Sequence, residues 1–272
     1  KCFCIQNAMT KGEVEQIDKN KWYSQWITGK NAVILKKIAD ILYPEECPVC
    51  QKILAEPEDR KMHVHRGCYR KLKRITEPMC KCCGKPVMSL QQEYCFDCSK
   101  RTVNYEAGHS LWVYDAVSSE SVFHYKYSGK QSYADFYAEA MVCFYGEWID
   151  SLQVQQIIPV PLSRQKLKIR GYNQAGILAE KIGDKLQIPV NNSGLFRIHS
   201  TAPQKELGKA EREKNLRDAF RANEKHLTDI RRVLLIDDIY TTGSTVNYCA
   251  GALRAAGVKK VWFLTLCTGA VF

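Results

Sequence analysis

The chain has 272 residues, which is room for one ordinary α/β domain plus a smaller module. Its 45% hydrophobic and 25% charged residues are a globular composition, and no run of eighteen apolar residues exists to form a membrane-spanning helix. A net charge of +11 favours anionic partners, whether phosphorylated small molecules, pyrophosphate or nucleic acid, without choosing among them. Thirteen cysteines, six of them in CxxC pairs within a chain predicted to have a large core, point to metal in a reducing cytoplasm rather than to a secreted disulfide scaffold. The first thirty residues lack the apolar core of a signal peptide, so the expected location is cytoplasmic.

Residues 1–30 are polar and weakly patterned, and read as a loosely attached tail. Cys2 and Cys4 form a lone CxC there, better explained as stray thiols than as a metal site. Ala32 to Leu42 has apolar residues at helical spacing and predicts a short amphipathic helix, ended by Pro44. The tail and helix are taken as residues 1–43.

Residues 44–101 differ in kind. Cys47-x-x-Cys50 is followed by His65-x-x-Cys68, Cys80-x-x-Cys83 and Cys95-x-x-Cys98, with fourteen, eleven and eleven residues between successive pairs. Paired ligands at ribbon-like intervals supply two tetrahedral zinc sites, one Cys3His and one Cys4. The simplest pairing takes neighbours: Cys47, Cys50, His65 and Cys68 for one ion, and Cys80, Cys83, Cys95 and Cys98 for the other. A cross-braced pairing of alternate units fits the same spacing. His63 competes with His65, although the HxxC spacing favours His65; Cys82 falls outside the CxxC frame. So short and polar a segment needs metal binding for much of its folding energy. It also holds twelve Lys and Arg against six Asp and Glu between 47 and 101, but its few aromatic residues (Tyr69, Tyr94, Phe96) do not suggest a base-stacking platform. A scaffold or protein-contact role is the preferred reading of that charge.

From Glu106 the pattern becomes α/β. Ala107 to Tyr114 reads as a strand, Ala116 to Tyr127 as a helix stopped by Gly129, and Asp135 to Ile149 as a second helix. Gln156 to Val160 predicts a short buried strand ended by Pro161, followed by the loop LSRQKLKIRGYN. Ala175 to Leu186 is helical, and Val190 begins another strand. Strands alternating with helices predict a mostly parallel sheet over residues 102–272.

Near the C-terminus, VLLIDDIYTTGST organises the rest. Val233 to Ile236 has the branching of a buried strand, and the sequence from Thr245 reads as a helix closed by Gly257. Between them, Thr241, Thr242, Gly243, Ser244 and Thr245 form a turn of small residues. Exposed N–H groups at such a turn, backed by a helix N-terminus, favour a phosphate, and bulky side chains would keep it away. Asp237 and Asp238 precede the turn and can accept hydrogen bonds from sugar hydroxyls, so the combination suits a ribose 5-phosphate. It is neither a Walker A loop nor a GxGxxG turn. A pyrophosphate leaving group needs cations from elsewhere. Arg164, Lys166, Lys168 and Arg170 lie within seven residues without an acid among them. The polar stretch 197–220 holds Arg197, Gln204, Arg212 and Asn215, and suits a lid that would order over substrate and exclude water.

The turn and its carboxylates resemble the PRPP-binding motif of type I phosphoribosyltransferases. Taken with LYPEECPVC, YKYSGK, IPVPLSRQKLKIRGYNQA, TAPQKEL and EREKNLRDAF, the chain resembles the ComF family from about Leu42 to Cys267. That resemblance implies a phosphoribosyltransferase-type domain behind a double zinc ribbon, in a cytoplasmic bacterial protein with a link in some members to DNA uptake during transformation. By position, Asp237 and Asp238 would hold the ribose hydroxyls and act in catalysis, and residues 241–245 would bind the 5-phosphate. Lys126, Arg164, Arg170 and Gln174 would serve the pyrophosphate. The implied ligands are two structural Zn2+ ions and Mg2+ carried with PRPP, and the implied macromolecular partner is single-stranded DNA or a competence helicase. No residue reads as a general base for the acceptor, whose identity stays open. The competing expectation is a non-catalytic nucleic-acid-binding or adaptor protein that uses the cradle as a PRPP or nucleotide sensor.

Overall fold

The computed structural model describes residues 44–198 and 219–269. The tail, the helix expected at 32–42, and the lid candidates Gln204, Arg212 and Asn215 lie outside them.

Four parallel strands form the central sheet in the order β1-β6-β5-β2: β1 (Gly108–Val113), β6 (Lys260–Thr268), β5 (Arg232–Tyr240) and β2 (Gln156–Pro159). Parallel pairing buries both faces, which is why β5 and β6 read as nearly continuous apolar runs. On one face, Leu234 and Ile236 of β5 and Leu264 and Leu266 of β6 join a core built with helices α4 (Ala116–Tyr127), α5 (Tyr133–Leu152) and α7 (Gln174–Leu186). On the other, Val233, Leu235, Val261 and Phe263 pack with α8 (Ser244–Ala255). The fold is α/β with a parallel sheet and an N-terminal cysteine-rich ribbon. Among the described residues, no helix is long and apolar enough to cross a membrane.

Local chemistry fixes the element ends. Asp115 accepts from the backbone N–H groups of Val117 and Ser118, while the Ser118 hydroxyl caps Asp115 in return, so α4 starts in a capping box. α5 runs longer than the periodicity predicts, from Tyr133 to Leu152, and stacks Phe136 on Trp112 at 5.4 Å.

Three expectations are corrected. The basic stretch expected as a loop is a seven-residue helix, α6 (Arg164–Arg170), capped by the Ser163 hydroxyl and closed by Gly171 at φ 78°. Val190 begins no strand; it makes a single parallel bridge to Ile157, and the next pairing is an antiparallel ribbon of β3 (Leu195–Arg197) with β4 (Phe220–Ala222). The strand expected to end at Ile236 continues to Tyr240, because pairs such as Ile239 with Cys267 and Tyr240 with Thr268 keep it in the sheet.

The ribbon is not an appended bead. Its helices α1 (Pro57–Met62), α2 (Arg66–Tyr69) and α3 (Phe96–Ser99) are short. However, Leu54, Met62, Val64 and Leu72 share the first core with Trp112 and Phe136, and Cys80, Cys83 and Cys95 share the second with Phe263. Backbone bonds tie it to β1: Ile75 N–H donates to Leu111 O (3.0 Å), Val113 N–H to Lys73 O (2.9 Å) and Gly108 N–H to Cys82 O (3.0 Å).

Candidate metal centres and anion-binding site

Each half of the ribbon repeats one device. In CPVCQK and CKCCGK, a β-type bridge closes a turn in which the first cysteine accepts from the residue after the CxxC (2.9 Å at Gln51, 2.8 Å at Gly84). Gln51 (φ 61°) and Gly84 (φ 69°) take the left-handed conformation that this turn requires. The remaining two ligands of each set come from a four-residue helix: His65 and Cys95 precede α2 and α3, while Cys68 and Cys98 lie on them.

These turns and helices bring together Cys47, Cys50, His65 and Cys68, and separately Cys80, Cys83, Cys95 and Cys98, with the ligand atoms of each set within 4.8 Å of one another. The sets are sequence neighbours, not cross-braced. His65 Nδ1 lies 3.3 Å from Cys50 Sγ, whereas His63 is engaged with Glu45. Cys82 stays outside both sets. A tetrahedral zinc with Zn–S near 2.3 Å has ligand edges of about 3.6–3.8 Å. The 3.7 Å between Cys83 and Cys95 sulfurs fits that, so the donor sets suit Zn2+.

The second assembly lies at the carboxyl ends of β5 and β2, where open α/β sheets place ligands. Side chains alternate along a strand, so Asp237 and Asp238 face opposite sides of the sheet. Asp238 follows Leu234 and Ile236 onto the first-core face. There its Oδ2 meets Lys126 Nζ, from the last turn of α4, at 2.9 Å and Arg170 Nη1, from the end of α6, at 3.9 Å. Lys126, Asp238 and Arg170 side chains are only 13%, 14% and 6% exposed, so these charges are held largely out of water. Gln174 accepts from Arg170 Nη1 at 2.8 Å and donates to the Lys126 carbonyl at 3.5 Å, fixing the two cations relative to each other. Tyr127 does the same from outside: its hydroxyl accepts from Arg170 Nη2 at 3.0 Å while the guanidinium lies over its ring. Two of the four residues expected at the pyrophosphate side, Lys126 and Arg170, therefore converge on one carboxylate, and a third, Gln174, bonds to both of them. Arg164 does not; it is exposed on the first turn of α6.

Asp237 faces the α8 side, and its Oδ1 accepts from the Asp238 backbone N–H at 2.8 Å. Burial, then the adjacent Asp238 charge, push its carboxyl up to about 7. Between about pH 4 and 7 the folded chain therefore holds a proton that the unfolded chain has released, and stability falls as pH rises through that window. The stability advantage of an Asp237→Asn variant over the parent should grow from pH 4 to 7 and level off above. Thermal unfolding midpoints of both proteins across pH 4–8 measure this, and a constant gap would refute it.

Lys166, exposed on α6, and Arg197 lie near the same cations. Burial, followed by Arg170 and Arg197, lowers the Lys166 ammonium, which places three cations in one neighbourhood. Arg197, at the end of β3, lies 5.2 Å over the Phe220 ring.

At the turn, Gly243 has φ 76°, and a Cβ there would lie 2.2 Å from the Tyr240 hydroxyl. Only glycine fits on both counts. Thr242 and Ser244 hydroxyls are 3.0 Å apart, and α8 begins directly at Ser244. The residues that sequence reasoning missed here are Tyr127, Tyr240, Tyr105 and Arg101. Arg101 donates to the Thr242 carbonyl and to Tyr240 Oη (2.8 Å), and Tyr105 and Tyr240 hydroxyls are 2.8 Å apart. Only the short Tyr240–Gly243 spacing could have hinted at this, because Tyr127 lies 43 residues from Arg170 and the other partners over a hundred residues apart.

Ribbon and sheet together define a protein with a parallel α/β core carrying a double zinc ribbon; the Double zinc ribbon domain family matches residues 38–99. Competence protein F of Haemophilus influenzae is 31% identical over 204 residues, spanning 72% of this chain and 86% of that protein. Competence protein ComFC of Bacillus subtilis is 26% identical over 211 residues, 75% of this chain and 82% of its own length. DNA utilization protein YhgH of Escherichia coli K12 is 32% identical over 112 residues, 41% of this chain and 48% of that protein. The chain belongs to the ComF family.

Proposed function

We propose that this chain is a phosphoribosyltransferase that binds Mg-PRPP and passes its phosphoribosyl group to an acceptor during the handling of incoming DNA. The observation that carries the reading is the convergence of Lys126 and Arg170 on Asp238, three residues before the small-residue turn at 241–245. In the proposed complex the N–H groups of 241–245 take the 5-phosphate, and Asp238 exchanges part of its ion pairing for the ribose hydroxyls. Lys126, Arg170 and Lys166 then turn to the pyrophosphate, offsetting charge as it departs from C1. Asp237, protonated below about pH 7, orients the Asp238 backbone and adds no second negative charge on the ribose side. The Mg2+ enters as part of the substrate. The names of the relatives, competence protein and DNA utilization protein, support linking this chemistry to DNA uptake, and the reading sets it in the cytoplasm. Single-stranded DNA and a competence helicase are the partners of that reading.

The second reading, a nucleic-acid-binding sensor without catalysis, is favoured by the ribbon's exposed Tyr94 and Phe96, with Lys100 3.8 Å over the Phe96 ring. Calorimetric titration of the full chain with PRPP and Mg2+, joined to a pyrophosphate-release assay with candidate acceptors, separates the two. Binding with release supports the enzyme, and binding without release across acceptors supports the sensor. No heat of PRPP binding would sink both uses of the cradle.

A further inference from the structure

The phosphate turn is gripped from an unexpected direction. Arg101 follows α3 by two residues and stands three residues after the metal ligand Cys98. Its guanidinium reaches the turn with one nitrogen on the Thr242 carbonyl and another on the Tyr240 hydroxyl, and it also interacts with the Cys98 sulfur. Tyr240 is 1% exposed and stacks on Phe263 with rings 4.8 Å apart and 2° from parallel, so its hydroxyl is a fixed post. Gly243 rests on that post. Two further groups from the ribbon side converge on the same residue: Tyr105 shares a hydrogen bond with its hydroxyl, and Lys85, 4% exposed and paired with Asp97, lies 5.6 Å over its ring. The segment between is pinned to α8, since Asn104 N–H donates to Asn247 Oδ1 at 2.7 Å and Arg254 Nε to the Asn104 carbonyl at 2.5 Å.

A phosphate cradle works only if its N–H groups are aimed before the anion arrives. Side-chain support within the turn is slight, one hydroxyl pair and a long Ser244 N–H contact to Thr242 Oγ1 at 3.5 Å, and the Gly243 carbonyl is held only by the first backbone bond of α8, from Asn247 N–H at 2.9 Å. We propose that Arg101 is the positioning residue of this turn, and that the second metal-binding ribbon is thereby the anchor that shapes the anion site. Arginine suits the task because its planar fork donates in two fixed directions at once; lysine, a point charge, does not. The anchor also explains why a ribbon with no ligand of its own in the sheet's cleft is packed against α8 rather than held on a linker. The functional consequence rests on the phosphate reading of the turn; the structural claim does not.

The test uses the full-length, zinc-loaded protein and an Arg101→Ala variant with unchanged zinc content. Amide hydrogen exchange, without ligand, should be faster by about tenfold in peptides covering 241–246, and unchanged in α5 and β1. Ribose 5-phosphate should bind about tenfold more weakly while inorganic pyrophosphate binds as before, since Lys126 and Arg170 are untouched. Arg101→Lys should stay close to the alanine variant in turn exchange, and it carries the test if the alanine variant loses zinc. Unchanged exchange at 241–246, or an equal rise in α5 and β1, would overturn the proposal. If the turn loosens but the parent protein binds no ribose 5-phosphate, the positioning role stands and the phosphoribosyl reading falls.

Discussion

Replacing Cys83 with serine is expected to remove one of two zinc ions per chain and to lower the thermal unfolding midpoint of the whole protein by ~10 °C or more. Structural zinc in small ribbons supplies an apparent ~10–16 kcal/mol, comparable to the entire ~5–15 kcal/mol stability of a typical domain. A ribbon on a flexible tether would lose that energy alone, leaving the sheet to melt where it did before. Here Cys83 is fully buried in one core with Tyr105, Tyr240 and Phe263, the residues under the 241–245 turn. Loss of the ion therefore opens the sheet's own packing. Calorimetry should show a single transition, shifted down, with elemental analysis reading one zinc. Two separate transitions, the upper one unmoved, would show that the ribbon and sheet fold independently.

The second large effect concerns Asp238. An Asp238→Asn variant should bind PRPP at least ~10-fold more weakly, from the ~1.5–3 kcal/mol of a charge-assisted hydrogen bond to a ribose hydroxyl. Its effect on free pyrophosphate should have the opposite sign. In the parent protein Asp238 neutralises Lys126 at 2.9 Å and draws on Arg170 at 3.9 Å. The amide leaves both cations uncompensated at low exposure, so a ligand that is only anion gains. The same variant should be less stable, by about 3 kcal/mol when no anion is present, because a buried pair has lost one partner. Added pyrophosphate should restore much of that loss. Titration of both ligands and a melting curve with and without pyrophosphate decide the matter. Equal weakening of both ligands would mean that Asp238 holds the fold and not the ribose.

The sequence shows this site unusually well where its chemistry is contiguous. Asp237 to Thr245 follow one another on a strand end, a turn and a helix start, so a single reading frame contains them. The CxxC frame was equally open, because each metal set is made of sequence neighbours. Lys126 and Gln174 were reached only through family resemblance; nothing in their local pattern says that α4 and α7 end beside β5. Arg101 and Tyr240 escaped altogether, since their role exists only in the contact between them. The errors have local causes. β5 appeared to stop at Ile236 because two carboxylates interrupt its apolar run, yet pairing with β6 carries it on to Tyr240. α6 reads as a loop because a short, basic helix has little apolar periodicity; Ser163 and Gly171, its two caps, are the better signal. The ribbon's polar composition says nothing of where its apolar residues go, and Leu54, Met62, Val64 and Leu72 enter the sheet's first core while Met88, Leu90 and Phe96 stay exposed.

The backbone bonds from residues 73–75 to β1 have a meaning for how the protein can be handled. β1 is the outer strand of the sheet on that side, and this short crossing occupies the N–H and C=O groups that an outer strand otherwise offers to any passing chain. A fragment begun at residue 102 would bare that strand along with the apolar surface beside it. The ribbon is thus also the sheet's guard against self-association, and the α/β half of this protein is not a portable unit.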